Sequence, residues 1–174
     1  MANPKYAFFE GKIVPIEQAK VDIRTHTLQY GTGVFEGIRG YWNEKTKTSY
    51  VFRREDHYKR FIVNSGMLLI KQKYSIKELC DITIELLRKE KYKEDCYVRP
   101  FAYNSGLNIG PKLIGNEQDI FIYSIPLGEY LNTSKAISVC ISSWGRIPDN
   151  AIPPRVKVSG SYVNAALQKT EALL

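Results

Sequence analysis

The sequence predicts an α+β fold, in which a small sheet carries helices on one side. Three observations predict it. Short runs rich in β-branched and aromatic residues come first. Two segments with helical periodicity follow, and strand-like runs then resume. A strict strand–helix alternation, as in doubly wound parallel sheets, is not present.

The elements can be justified in order. Residues 6–14, Tyr-Ala-Phe-Phe-Glu-Gly-Lys-Ile-Val, read as a hairpin turning at Glu10-Gly11. Residues 34–42 and 48–53 read as two further strands, joined by a turn over Asn43 to Thr48. Over 55–70 the period changes: Tyr58, Phe61, Ile62, Ser65, Leu68 and Leu69 share one helical face. Ser75 with Glu78 is a capping-box pattern, and it predicts a second helix whose apolar stripe includes Leu79, Ile82 and Leu86. Strands are expected again at 96–104 and 119–126, and a further one at 136–144. Pro148, Pro153 and Pro154 enforce an extended loop, and a last helix is expected from Tyr162 to Leu174. This gives a small α+β domain over 1–126, a linker over 127–134 with Gly128, Asn132 and Thr133, and the beginning of a second, incomplete domain over 135–174. The last 40 or so residues offer too few elements for a core of their own.

Composition narrows the function classes. At 44% hydrophobic and 25% charged residues, the chain reads as soluble and globular. The net charge of +7 comes from Lys and Arg interleaved with Asp and Glu, and the densest basic run, Lys71-Gln72-Lys73, is short. This is a solvated basic surface and not a nucleic-acid stripe, although it favours small anionic ligands. Cys80, Cys96 and Cys140 are odd in number and far apart, with only His26 and His57 to join them. No disulfide framework or metal site is expected, and the thiols read as reduced and partly buried. No segment approaches a membrane span or a signal peptide. The expected location is cytoplasmic.

Several side chains are candidates for chemistry. Lys157 lies between Val156 and Val158 and is followed by Ser159, Gly160 and Ser161. An amine nucleophile benefits from partial desolvation and from room for a ligand to approach. Taken alone, it is one lysine among many, and most lysines are solvated. Arg60 could fork onto a phosphate or lie in water on a helix surface. Tyr97 and Arg99, two apart on a strand, face the same side and could receive a carboxylate; an ordinary sheet-covering pair is as compatible with the spacing. The run Tyr30-Gly-Thr-Gly-Val-Phe-Glu-Gly37 lacks the glycine spacing of a dinucleotide fingerprint and leads into a strand.

These stretches together resemble the class IV, fold-type IV aminotransferases, most closely the branched-chain members. The resemblance rests on Tyr30 to Arg39, on the helix around Arg60 and Ser65, and on Tyr97-Val-Arg-Pro100. It continues through Ser142-Ser-Trp-Gly-Arg146 and Pro153 to Lys157, Gly160 and Tyr162. It covers nearly the whole chain, with the motifs in family order. Ser161 stands where the family often has asparagine.

The resemblance implies pyridoxal 5'-phosphate (PLP) as cofactor, with Lys157 as the Schiff-base lysine and proton shuttle. It implies Arg60 as the phosphate ligand and Tyr162 as the phenol beside the ring oxygen. Tyr30, Phe35, Gly37, Arg39, Tyr97, Arg99 and Tyr130 are implied around the substrate. Among them, Phe35, Gly37 and Tyr130 wall the apolar pocket, Tyr97 lies near the substrate carboxylate, and Arg99 takes the distal carboxylate of glutamate. Tyr30 and the loop Asn104–Gly110 are expected to reach a partner subunit's pocket. The partner of the pyridine nitrogen would lie outside this sequence. The implied reaction moves the amino group of leucine, isoleucine or valine to 2-oxoglutarate in a ping-pong cycle. The implied assembly is a homodimer or a higher homo-oligomer, with no nucleic acid and no membrane. The same resemblance leaves open D-amino-acid aminotransferase, aminodeoxychorismate lyase, or a non-catalytic fragment that keeps only the small-domain fold and its dimer surface.

Overall fold

The turn at Glu10-Gly11 sets one edge of the sheet. Both residues take positive φ, 48° and 81°, the geometry a two-residue hairpin needs to match strand twist. It folds β1 (Tyr6–Phe9) onto β2 (Lys12–Pro15). In the computed structural model of the chain, which describes residues 3–128 and 136–174, these strands join five others. They are β3 (Gly33–Phe35), β4 (Ile38–Asn43), β5 (Thr48–Val51), β6 (Cys96–Asn104) and β7 (Gln118–Pro126). The sheet runs β2-β1-β7-β6-β4-β5, with β3 also on β6, and all its pairings are antiparallel.

The strand expected over 34–42 is divided at Glu36-Gly37, and Pro100 is the reason. Opposite this point on β6, Glu36 N–H donates to the Pro100 carbonyl at 3.0 Å, but proline has no N–H to return the bond. The register nevertheless continues, from Phe35 opposite Phe101 to Ile38 opposite Val98. The hairpin, the 43–48 turn and the strand at 96–104 lie where the sequence places them, and the strand expected at 119–126 begins one residue earlier, at Gln118.

Alternation along the strands sorts side chains onto two faces. Phe8, Val34, Ile38, Val98, Ala102, Ile120 and Ile122 are buried on one face. There they meet α2 (Arg54–Met67) and α3 (Ile76–Glu90) through Tyr58, Phe61, Leu79 and Leu86. The capping box at α3 is formed: Ser75 Oγ accepts from Glu78 N–H at 3.3 Å, and the Glu78 carboxylate accepts from Ser75 N–H at 2.7 Å. The second face carries Phe35, Arg39, Tyr97, Arg99, Phe101, Tyr103, Phe121 and Tyr123, with Phe101 stacked on Phe121 at 4.9 Å between ring centroids.

A short helix that the sequence reading did not anticipate, α1 (His26–Tyr30), precedes β3. Five residues are too few for a readable period. Buried His26 holds it, with Nδ1 2.7 Å from Thr32 Oγ1 and Nε2 3.0 Å from the Gly110 carbonyl.

The strand expected at 136–144 is absent: residues 136–142 have no regular structure, 143–144 form a bend, and Ile137, Val139 and Ile141 are exposed. A strand needs a neighbour to accept and donate its hydrogen bonds, and none lies beside this segment among the described residues. The last helix, α4 (Tyr162–Glu171), begins where expected but ends three residues short of Leu174, and a 3-10 turn at Ser159–Ser161 precedes it. Of the expected linker, only Leu127 and Gly128 are described; residues 129–134 lie outside the described residues. Cys80 and Cys96 are buried and Cys140 is exposed. Among the described residues, no helix is long and apolar enough to cross a membrane.

Candidate functional site

The segment carrying Lys157 is fixed to the sheet as though it were a further strand. Val156 and Val158 are buried in the core, so alternation turns Lys157 the other way. Phe35 N–H donates to the Lys157 carbonyl at 3.1 Å, and Val158 bridges to Val34. The turn that follows docks on the end of α1. Gly31 caps that helix in the left-handed region, φ 67°. Its carbonyl accepts from Gly160 N–H at 3.2 Å and from Ser159 Oγ at 2.9 Å. The two glycines touch: a Cβ on Gly31 would sit 2.8 Å from Gly160 Cα. This contact sets the start of α4 and therefore Tyr162. Lys157 Nζ donates to Tyr162 Oη at 2.5 Å and stands 4.7 Å from the Phe35 ring centroid.

Arg60 and Asn64 on α2 line the same cavity as Lys157 and Tyr162. Its volume is about 570 Å³. Arg146, Arg155, Asn164 and Gln168 add cationic and amide groups to the lining, and Ile147, Ile152, Pro154, Val156 and Ala165 make the rest of it largely apolar. Such a cavity suits a ring-sized anion. Among the described residues, no group of three or more His, Cys, Asp and Glu side chains could hold a metal ion.

The sequence reading missed the residue that orients Arg60. Glu36 is fully buried. Its carboxylate accepts from Arg60 Nε at 2.6 Å and from Arg60 Nη2 at 2.7 Å, and His57 Nδ1 lies 3.1 Å away. Burial opposes the carboxylate charge, but the bonds from His57 and Arg60 and the guanidinium charge outweigh it. The Glu36 carboxyl is thus lowered to about 2. The pair also raises the Arg60 guanidinium, chiefly through the hydrogen bond to Glu36. With its Nε edge held, Arg60 keeps its remaining donor edge for a ligand. A signal for Glu36 existed in the sequence: it is in phase with Val34 and Ile38, and a carboxylate on a core face needs a cation.

The remaining predicted residues divide into two groups. Phe35, Gly37, Tyr97 and Arg99 form one cluster that meets Lys157 through Phe35 and lies outside the lining of the cavity. The Arg99 guanidinium lies 4.2 Å over the Phe35 ring, and its Nε donates to Tyr97 Oη at 3.1 Å. Gly37 gives Tyr97 room, because a Cβ there would fall 2.3 Å from Tyr97 Oη. Arg39 turns away from the cavity. It donates to the Gly128 carbonyl at 3.2 Å and pairs with Asp95 at 3.4 Å, the carboxylate that also accepts from Trp42 N–H. Tyr30 is not brought to Lys157 either; its hydroxyl accepts from Gly110 N–H at 2.8 Å and ties the 104–110 loop to α1. Tyr130 lies outside the described residues.

Comparison with known proteins places these features in context. Residues 33–173 match the family model described as amino-transferase class IV. The chain is 51% identical over 169 residues to the "Probable branched-chain-amino-acid aminotransferase" of Aquifex aeolicus, covering 97% of this chain and 54% of that one. It superposes with a TM-score of 0.91 and 34% identity on a branched-chain aminotransferase from Thermoproteus uzoniensis crystallised with norvaline, covering 98% of this chain and 57% of the other. The TM-score is 0.89, with 36% identity, against the PLP-form (holo-form) of the Thermobaculum terrenum branched-chain enzyme, covering 98% and 56%. The chain spans about half the length of the curated relatives it matches.

Proposed function

Because the chain belongs to the class IV aminotransferase family, we propose that it provides the lysine-bearing part of a PLP-dependent branched-chain amino-acid aminotransferase. The protein would act on leucine, isoleucine and valine with 2-oxoglutarate as amino acceptor. One observation carries this reading: Lys157, Tyr162 and Arg60, on three separate elements, line one cavity of about 570 Å³. The lining suits the cofactor, because it pairs an amine with a guanidinium whose carboxylate partner occupies only one edge.

PLP supplies an aldehyde that condenses with amines and a ring that withdraws electrons from the substrate α-carbon. In the proposed roles Lys157 holds the cofactor and carries the proton taken from that carbon. Tyr162 orients the amine through its hydroxyl. Arg60 anchors the phosphate from the N-terminal half of α2. Phe35 and Gly37 border an apolar space for the substrate side chain, and Arg99 with Tyr97 at its rim offers a guanidinium and a phenol to a carboxylate. An apolar pocket with one rim cation accepts both a branched chain and glutamate. Tyr30 and the 104–110 loop are proposed to serve a partner subunit. Exposed Leu28 and Ile109 beside them support a homodimer. Arg39 and Tyr130 are retained as substrate-side residues, and the division at 1–126, 127–134 and 135–174 as the domain plan of a cytoplasmic enzyme.

The test is a visible absorption spectrum of the protein with added PLP, before and after L-leucine, with D-alanine as comparator. We expect a band that is lost in Lys157→Ala and that shifts with leucine and not with D-alanine. An equal band in Lys157→Ala, or no band in the wild type, would refute the reading.

A further inference from the structure

Asn64 lines the cavity one helical turn beyond Arg60, on the same face of α2. Its residue exposure is 5%, and its Nδ2 is sealed from solvent without any hydrogen-bond partner. Buried amides almost always find partners, because an unmet donor keeps its full desolvation penalty. The adjacent Ser65 shows that the helix can provide them. Also buried, Ser65 donates to the Phe61 carbonyl at 2.7 Å and accepts from Gln72 Nε2 at 3.0 Å. Asn64 Nδ2 is left unmet one turn from Arg60, in the lining of the same cavity. The two ends of a carboxamide have nearly the same shape, so a half-turn of the Asn64 amide would present its NH₂ to a ligand without disturbing the packing.

We propose that Asn64 is a second phosphate donor beside Arg60, a neutral one that completes the anion seat on α2. The inference rests on the reading of the cavity as a PLP site. It also gives the unmet Nδ2 a partner: after the half-turn of the amide the donor faces an anion oxygen and is no longer sealed away without one.

The test compares wild-type protein with Asn64→Ala and with Asn64→Leu, which keeps the side-chain volume. Affinity is measured by absorbance titration with PLP and with pyridoxal, which lacks the phosphate. The thermal midpoint of the unliganded protein is measured in parallel. A hydrogen bond to a charged group is worth enough that losing it should weaken PLP binding roughly tenfold or more. Pyridoxal affinity should change less than twofold, and the unliganded midpoint of Asn64→Leu should be equal or higher. Unchanged PLP affinity in both variants would overturn the proposal. An equal loss for PLP and pyridoxal would also overturn it, by showing a merely structural role. Wild-type protein that binds neither PLP nor inorganic phosphate would overturn the functional reading itself, and this inference with it.

Discussion

Replacing Glu36 by glutamine removes one charge from a fully buried position while leaving the shape nearly intact. In the folded chain the carboxyl is lowered to about 2, against an ordinary value of 4.5. At 1.36 kcal/mol per pKa unit, this places about 3 kcal/mol of stability in the ionised Glu36 at neutral pH. The Arg60 side chain is 57% exposed and can recover water, so the variant should lose about 2–3 kcal/mol, below the usual range for breaking a buried pair. For a chain of this size, that is a fall of roughly 4–12 °C in thermal midpoint.

The pH dependence has a definite sign. A depressed carboxyl stabilises above its unfolded pKa, and that stability is lost as pH falls through its folded pKa. The difference between wild type and Glu36→Gln should therefore be full at pH 7 and begin to shrink below about 4.5. By about pH 3 it should have fallen to less than half, as the wild-type group protonates. Chemical denaturation at pH 7 and pH 3 measures it. A difference that is the same at both pH values, or under about 0.5 kcal/mol at pH 7, would refute the argument that Glu36 holds Arg60 by its charge.

Two glycines give a matched pair of further expectations. Gly31→Ala forces a Cβ into a left-handed residue and against Gly160 Cα. It should cost about 2–4 kcal/mol in denaturation and reduce PLP uptake more than its stability loss explains, because the turn after Lys157 loses its seat. Gly66→Ala, in the last turn of α2 with nothing within 4 Å of the added Cβ, should instead stabilise by about 0.5–1 kcal/mol. A destabilised Gly66→Ala or a neutral Gly31→Ala would show that backbone conformation is not what distinguishes these sites.

Much of the fold was legible in the sequence because its signals are local. Glu10-Gly11 can only turn one way, Ser75 and Glu78 reciprocate within one helical turn, and Val98, Ala102, Ile120 and Ile122 keep a strict period of two. The motifs around Lys157, Arg60 and Tyr162 were also readable, and they line one cavity. What the sequence did not reveal depends on partners distant along the chain. The break at Glu36-Gly37 is caused by Pro100 on another strand. Helix α1 is too short for a period and stands because His26 reaches Gly110. Residues 136–144 alternate as a strand should, yet alternation describes only which faces differ, not whether a neighbour is present. Arg39 stands in a motif with Phe35 and Gly37, but its geometry is set by Asp95, which no local pattern announces.

The clasp between Gly31 and Ser159 joins residues 128 positions apart. A contact that closes so long a loop contributes little until the intervening chain is ordered, since the closure entropy must be met first. We therefore expect Lys157 to reach its place late in folding, after β3, β6 and α2 have formed the ledge that receives it. Under the proposed roles, a chain folding in the presence of PLP would have Arg60 in place for the phosphate before Lys157 arrives. The cofactor could then be loosely held by Arg60 before Lys157 closes beside it, and capture of the ligand would become part of the last folding step.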